Sequence, residues 1–158
     1  MTMQAFDRLL GTCLRGIAMM CLGTLFLLLL INVVARTFEL AGFSWFDEIV
    51  RGCFAWMVFI GAAALWREND HFQVDWLQKS LTTVGAKVAH TALIGLVSLA
   101  FLLVMTWYGY VLFDRANAMT PILRIPERLF YAAIPISGAI MTAYTLVRLF
   151  RGFFTPTK

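Results

Sequence analysis

A chain of 158 residues that is 61% hydrophobic, 15% aromatic and only 14% charged lies outside the soluble globular range and inside the integral membrane class. Most of its length falls in apolar runs, which leaves no room for a separate soluble domain, so residues 1–158 read as one transmembrane domain. The net charge of +4 comes from basic residues at the ends of those runs, which speaks for membrane orientation and against nucleic acid as a partner.

The first 15 residues place Phe6, Leu9, Leu10, Cys13 and Leu14 at helical spacing, with Asp7, Arg8, Thr12 and Arg15 elsewhere. That pattern predicts an interfacial amphipathic helix running into the first span. The span itself covers about residues 16–35, carries Asn32 as its one strong polar group and stops at Arg36. Its apolar run of 20 residues is too long for the core of a cleaved signal peptide and reads as a signal anchor.

The second span is the most informative. Gly52 to Trp66 is uncharged, but 15 residues make only about 22 Å of helix, short of a hydrocarbon core of about 30 Å. Starting at Trp45 gives 22 residues and about 33 Å. Ser44 suits the cap position, with Asp47 three residues on as in a capping box. Asp47, Glu48 and Arg51 then lie inside the first two turns of a membrane helix, able to share one face. Trp66 and Arg67 close the span. Glu68, Asn69, Asp70 and His71 follow as a polar knee, and Val74, Leu77, Leu81, Val84 and Val88 then line one helical face, with Asp75, Gln78, Lys79, Thr82 and Thr83 off it. This predicts a surface helix over about 74–84, ended near Gly85. An amphipathic turn packed on another subunit would show the same pattern.

The third span, about 88–113, is 26 uncharged residues, about 39 Å, and ends in the interfacial aromatics Trp107, Tyr108 and Tyr110. After a loop with Pro121, Pro126 is placed to open the fourth span, about 127–147, which carries Pro135 at a predicted kink. The fold class expected is therefore all-α and integral to the membrane. It has four transmembrane helices, with interfacial helices at the N-terminus and between spans two and three. Four spans put both termini on one side. Eight of the 13 Lys and Arg residues fall there and five opposite, which assigns the termini to the cytoplasm by the positive-inside rule.

No Asp, Glu, Lys or Arg occurs in residues 16–35, 52–66, 88–113 or 129–147. A self-sufficient ion-coupled transporter needs midplane charges or broken helices aimed at substrate and ion. Their absence points to a scaffold or accessory subunit. The charged group at the mouth of span two has three readings: helix capping with a local ion pair, a tie to Arg36 or a partner subunit, or a coupling-ion or proton site. Trp56, alone at mid-span, reads as a packing residue. Cys13, Cys21 and Cys53 fit neither a disulfide framework nor a metal motif and read as small buried apolar residues. No catalytic constellation is present, so neither enzymatic activity nor a cofactor is expected.

Several features occur together in one order: Arg36, then Trp45, Asp47, Glu48 and Arg51 as W-x-(D/E)-E-x-x-R, Gly61, the His71-Phe-Gln-Val-Asp75 knee, Thr120-Pro121, Ile125-Pro126, Tyr131 and Ile134-Pro135. In this the chain resembles the DctQ-like small membrane subunits of tripartite ATP-independent periplasmic (TRAP) transporters, and the resemblance covers nearly the whole chain. It implies a three-part uptake system in a bacterial inner membrane. There a periplasmic binding protein captures an organic acid and a large multi-span subunit moves it with sodium. The small subunit enlarges the scaffold of an elevator and binds neither substrate nor sodium. Its partners would be those two proteins and membrane lipid. By this reading Arg36, Trp45, Asp47, Glu48, Arg51, His71, Asp75, Trp76, Pro126 and Pro135 serve structure or interfaces. Two other classes stay open: a haem-binding membrane anchor of a respiratory enzyme, using His71 and His90, and a small four-span exporter.

Overall fold

The structure is a computed structural model that describes residues 3–39, 43–68 and 84–154. Five helices are named in chain order: α1 (Met3–Thr37), α2 (Phe46–Glu68), α3 (Val84–Arg115), α4 (Arg128–Tyr131) and α5 (Ala133–Phe154). Apart from an isolated bridge between Met119 and Pro126, no β-structure occurs among the described residues. Among the described residues, four helical stretches are long and apolar enough to cross a membrane: Asp7–Thr37, Phe46–Glu68, Ala92–Arg115 and Arg128–Phe150. The protein is an all-α membrane protein with four transmembrane helices. The polar knee with His71, and the predicted surface helix with Asp75 and Trp76, lie outside the described residues.

The amphipathic N-terminal stretch is not a separate helix. It continues unbroken into the first span as a helix of 35 residues, about 52 Å long. Because lipid offers no partner for a free hydroxyl, Thr12, Thr24 and Thr37 bond back to the carbonyls of Arg8, Met20 and Val33. The helix ends with Arg36 in its last turn, where a cation complements the dipole, and Glu39 follows at φ 54°. The second helix begins at Phe46, and the expected cap at Ser44 is not used. A turn closed by Phe46 N–H on the carbonyl of Phe43 (3.1 Å) leads the chain into the helix instead.

Neighbour relations define the architecture. The first span packs on the second, the second on the fourth and the fourth on the third, while the first and third share no substantial contact among the described residues. The spans therefore form an open row in the order one, two, four, three. The central spans supply most of the buried surface, and α2 uses adjacent residues for different neighbours. Ala64 joins Leu14 and Ile60, whereas Ala63, turned about 100° away, joins Leu102 and Met141. Lipid tails are as apolar as leucine, so helices in a bilayer gain by close approach. Gly109 lets Ile134 rest against the backbone of α3.

The fourth span is interrupted at Ala132, in the turn ahead of Pro135. Proline has no N–H to give the carbonyl of Tyr131, so the helical ladder lapses there and resumes with Ile136 N–H on Ala132 O (3.3 Å). Pro126 stands just before Glu127, the N-cap of α4, and its carbonyl accepts the N–H of Leu129 at 3.0 Å.

Candidate functional site: the charged mouth of the second span

The loop between the third and fourth spans folds back on itself. Glu127 N–H bonds Ala118 O (3.0 Å), Thr120 N–H bonds Ile125 O (2.9 Å), and Arg124 N–H bonds Thr120 O (3.2 Å) with Arg124 in the left-handed region at φ 52°. Thr120, only 2% exposed, also accepts the N–H of Ile125 on its hydroxyl at 3.0 Å. Such a hairpin leaves the N–H groups at its tip without backbone partners, and in a partly buried place they need an acceptor.

Glu48 is that acceptor. Its Oε1 takes the N–H of Ile122 at 2.8 Å and its Oε2 the N–H of Leu123 at 2.9 Å. The side chain is 6% exposed. Two successive backbone N–H groups converging on a carboxylate make a small anion nest, with charge-assisted bonds stronger than neutral ones. Arg51, one turn on, lies 4.0 Å from Glu127 and adds positive potential beside Glu48.

This arrangement corrects the expected charge network in two respects. Arg36 and Asp47 are exposed, and neither forms an ion pair among the described residues. The carboxylate of Glu48 is satisfied by backbone dipoles, so it has no need of an arginine across the first two spans. The cluster fastens the second span to the loop and to the start of the fourth span. Trp45 is half-buried, with its ring 5.6 Å from that of Phe43.

Deeper in the span, Trp56 and Gly52 meet the break in the fourth span. With the ladder lapsed, the carbonyl of Leu129 accepts the indole N–H of Trp56 at 3.0 Å, while Gly52 makes room for the Phe130 ring. Trp56 is therefore a packing residue with a polar task.

The far end of α2 carries a second cluster that sequence reasoning did not find. Arg67 donates through Nε to Asp7 Oδ1 (2.9 Å) and through Nη2 to Asp7 Oδ2 (2.6 Å), and the Tyr144 hydroxyl donates to Oδ1 (2.6 Å). Arg15 pairs with Glu68. Trp66 donates its indole N–H to Thr145, and Arg148 caps the helix by donating to the carbonyl of Trp66 at 2.8 Å. Three elements, α1, α2 and α5, are joined through one carboxylate. A cue was available, because Asp7 is the only acid in α1. No group of three or more His, Cys, Asp or Glu suited to a metal occurs among the described residues.

Residues 25–155 match the family described as tripartite ATP-independent periplasmic transporters, DctQ component. The chain belongs to the DctQ family. It is also 27% identical over 154 residues to a Haemophilus influenzae protein named as a TRAP transporter small permease protein, covering 96% of this chain and 94% of the relative. This DctQ-family chain is thus a membrane subunit of the transporter kind. Both clusters fall wholly or largely on elements inside the matched range, Asp7 and Arg15 excepted.

Proposed function

We propose that this chain is the small scaffold subunit of a sodium-coupled TRAP transporter for an organic acid. On this reading it lies in the bacterial inner membrane with both termini in the cytoplasm, supports a large multi-span subunit, and itself neither transports nor catalyses. The observation that carries the proposal is the pairing of a family match over residues 25–155 with four apolar stretches that hold no Asp, Glu, Lys or Arg in their interiors. Glu48 and Arg67, the least exposed charged groups at the two ends of α2, are engaged with the protein's own backbone and side chains, which suits a rigid support. An open row of helices also exposes broad apolar faces on its outer members, as a part that stands beside a larger membrane protein would.

In this orientation the loop held by Glu48 faces the periplasm, and we place part of the docking surface for the binding protein there. Glu48 fixes the backbone, while Arg115, Arg124 and Asp114 are exposed and free to steer an encounter that weakens as salt rises. The test is reconstitution. The lone subunit in liposomes under a sodium gradient takes up no organic acid, whereas the full three-part system does. Uptake by the lone subunit would end the scaffold reading.

A further inference from the structure

The contacts between spans fix their relative heights. Asp7 reaches Arg67, Leu14 packs with Ile60 and Gly61 faces Ala18, so α1 and α2 run antiparallel in one register. Trp56 bonds Leu129, Trp66 bonds Thr145 and Ala63 packs with Met141, which sets α2 against the fourth span. Leu102 joins Met141, Gly109 meets Ile134 and Gly95 meets Leu149, which sets the fourth span against the third. Each span also has a charge-free run, residues 16–35, 52–66, 129–147 and 88–113 in row order. On the scale of α2, the middles of these runs stand level with about Val50, Phe59, Ile60 and Leu65. The apolar belt therefore shifts by about 22 Å between the first span and the third, across three helix spacings of about 8–10 Å each.

An upright row cannot keep such a belt inside a hydrocarbon core of about 30 Å. Centred on Phe59, that core would leave Leu30, Ile31 and Val33 of α1 in water at one corner and Leu93, Ile94 and Leu96 of α3 in water at the opposite corner. All six are exposed on the protein surface. We propose that the whole row leans within its own plane by about 30–40°, so that the bilayer meets it along the slanted belt. The first span then rises toward the face opposite the termini, and the third sinks toward the face that carries them. The length of the third span agrees, since 26 uncharged residues, about 39 Å, fit a core of about 30 Å at a tilt near 40°. The partner is the lipid surface itself, met obliquely. The inference holds whichever side of the membrane carries the termini.

Met20 on α1 and Tyr110 on α3 are both exposed, and both stand level with Trp56 of α2. Yet Met20 lies about 8 Å to the termini side of the middle of its charge-free run, and Tyr110 about 14 Å to the other side of the middle of its own. The test attaches a nitroxide at Met20→Cys or Tyr110→Cys in the full chain, with Cys13, Cys21 and Cys53 replaced by serine, in phosphatidylcholine vesicles. Depth is read from collisions with oxygen and with a water-soluble nickel chelate. The two labels should lie on opposite sides of the bilayer midplane, about 18 Å apart in depth. Equal depths would mean an upright row and would overturn the proposal. The wild-type chain gives a second reading should a variant fail to fold. Polarised infrared dichroism of oriented bilayers should show a mean helix tilt of about 30–40°. A mean tilt under about 20° would also overturn the proposal, because it is the result of a bilayer that thickens and thins around upright helices.

Discussion

The two ends of the second helix solve the same problem with different chemistry. At its first turn Glu48 is buried and satisfied by backbone N–H groups of a loop 74 and 75 residues away. At its last turn Arg67 is satisfied by Asp7, a formal charge, with Tyr144 on the same carboxylate. A carboxylate held by dipoles carries no second charge to be screened and fixes backbone, so it sets the shape of a loop. An ion pair between long side chains joins helices, tolerates adjustment and loses strength where water and salt reach it. The Asp7 side chain is 42% exposed, so water does reach this pair. One end of the protein is shaped and the other is laced.

Breaking the shaped end should have the largest effect. Glu48→Ala leaves two tip N–H groups without an acceptor, and the yield of assembled complex should fall by roughly an order of magnitude, read by size exclusion. Glu48→Gln, with one acceptor oxygen, should fall in between. The sodium dependence of whatever complex survives should match wild type, and a changed sodium requirement at normal yield would place Glu48 in ion coupling.

At the laced end a double-mutant cycle of Asp7→Ala and Arg67→Ala, scored by thermal stability in detergent, should give a coupling on the order of 1 kcal/mol. That coupling should shrink as salt rises. The Glu48 effect should hardly respond, which is the sharpest contrast between the ends.

A smaller effect is expected at the helix break. Trp56→Phe keeps the ring and loses the bond to Leu129, at a cost of about 1 kcal/mol. The smallest effect belongs to Arg51→Ala. Its side chain is 67% exposed and 4.0 Å from Glu127, so stability should change by no more than about 0.5 kcal/mol.

Much of the fold was legible because hydropathy and length decide spans almost alone in lipid, and because Pro135 has one predictable consequence for a helix. The neighbour order was not legible, since Ala63 and Ala64 carry no mark of which helix each will face. Glu48 stood out as a charge in a membrane helix, but its partners are main-chain N–H groups of Ile122 and Leu123, which no side-chain identity announces. Pairing it with Arg51 and Arg36 followed charge complementarity, and the hairpin's unpaired donors outweighed that. The Asp7 and Arg67 pair was missed for another reason. Reading residues 1–15 as a helix lying on the membrane surface removed Asp7 from the span ends where it finds Arg67.

The most direct test of the account is amide exchange in the loop, followed by hydrogen–deuterium mass spectrometry on wild type and on Glu48→Ala. The amides of Ile122 and Leu123 should be protected in the wild type although their side chains are exposed, and they should lose most of that protection in the variant. Fast exchange of both amides in the wild type, or unchanged protection in the variant, would contradict the claim that Glu48 holds this loop.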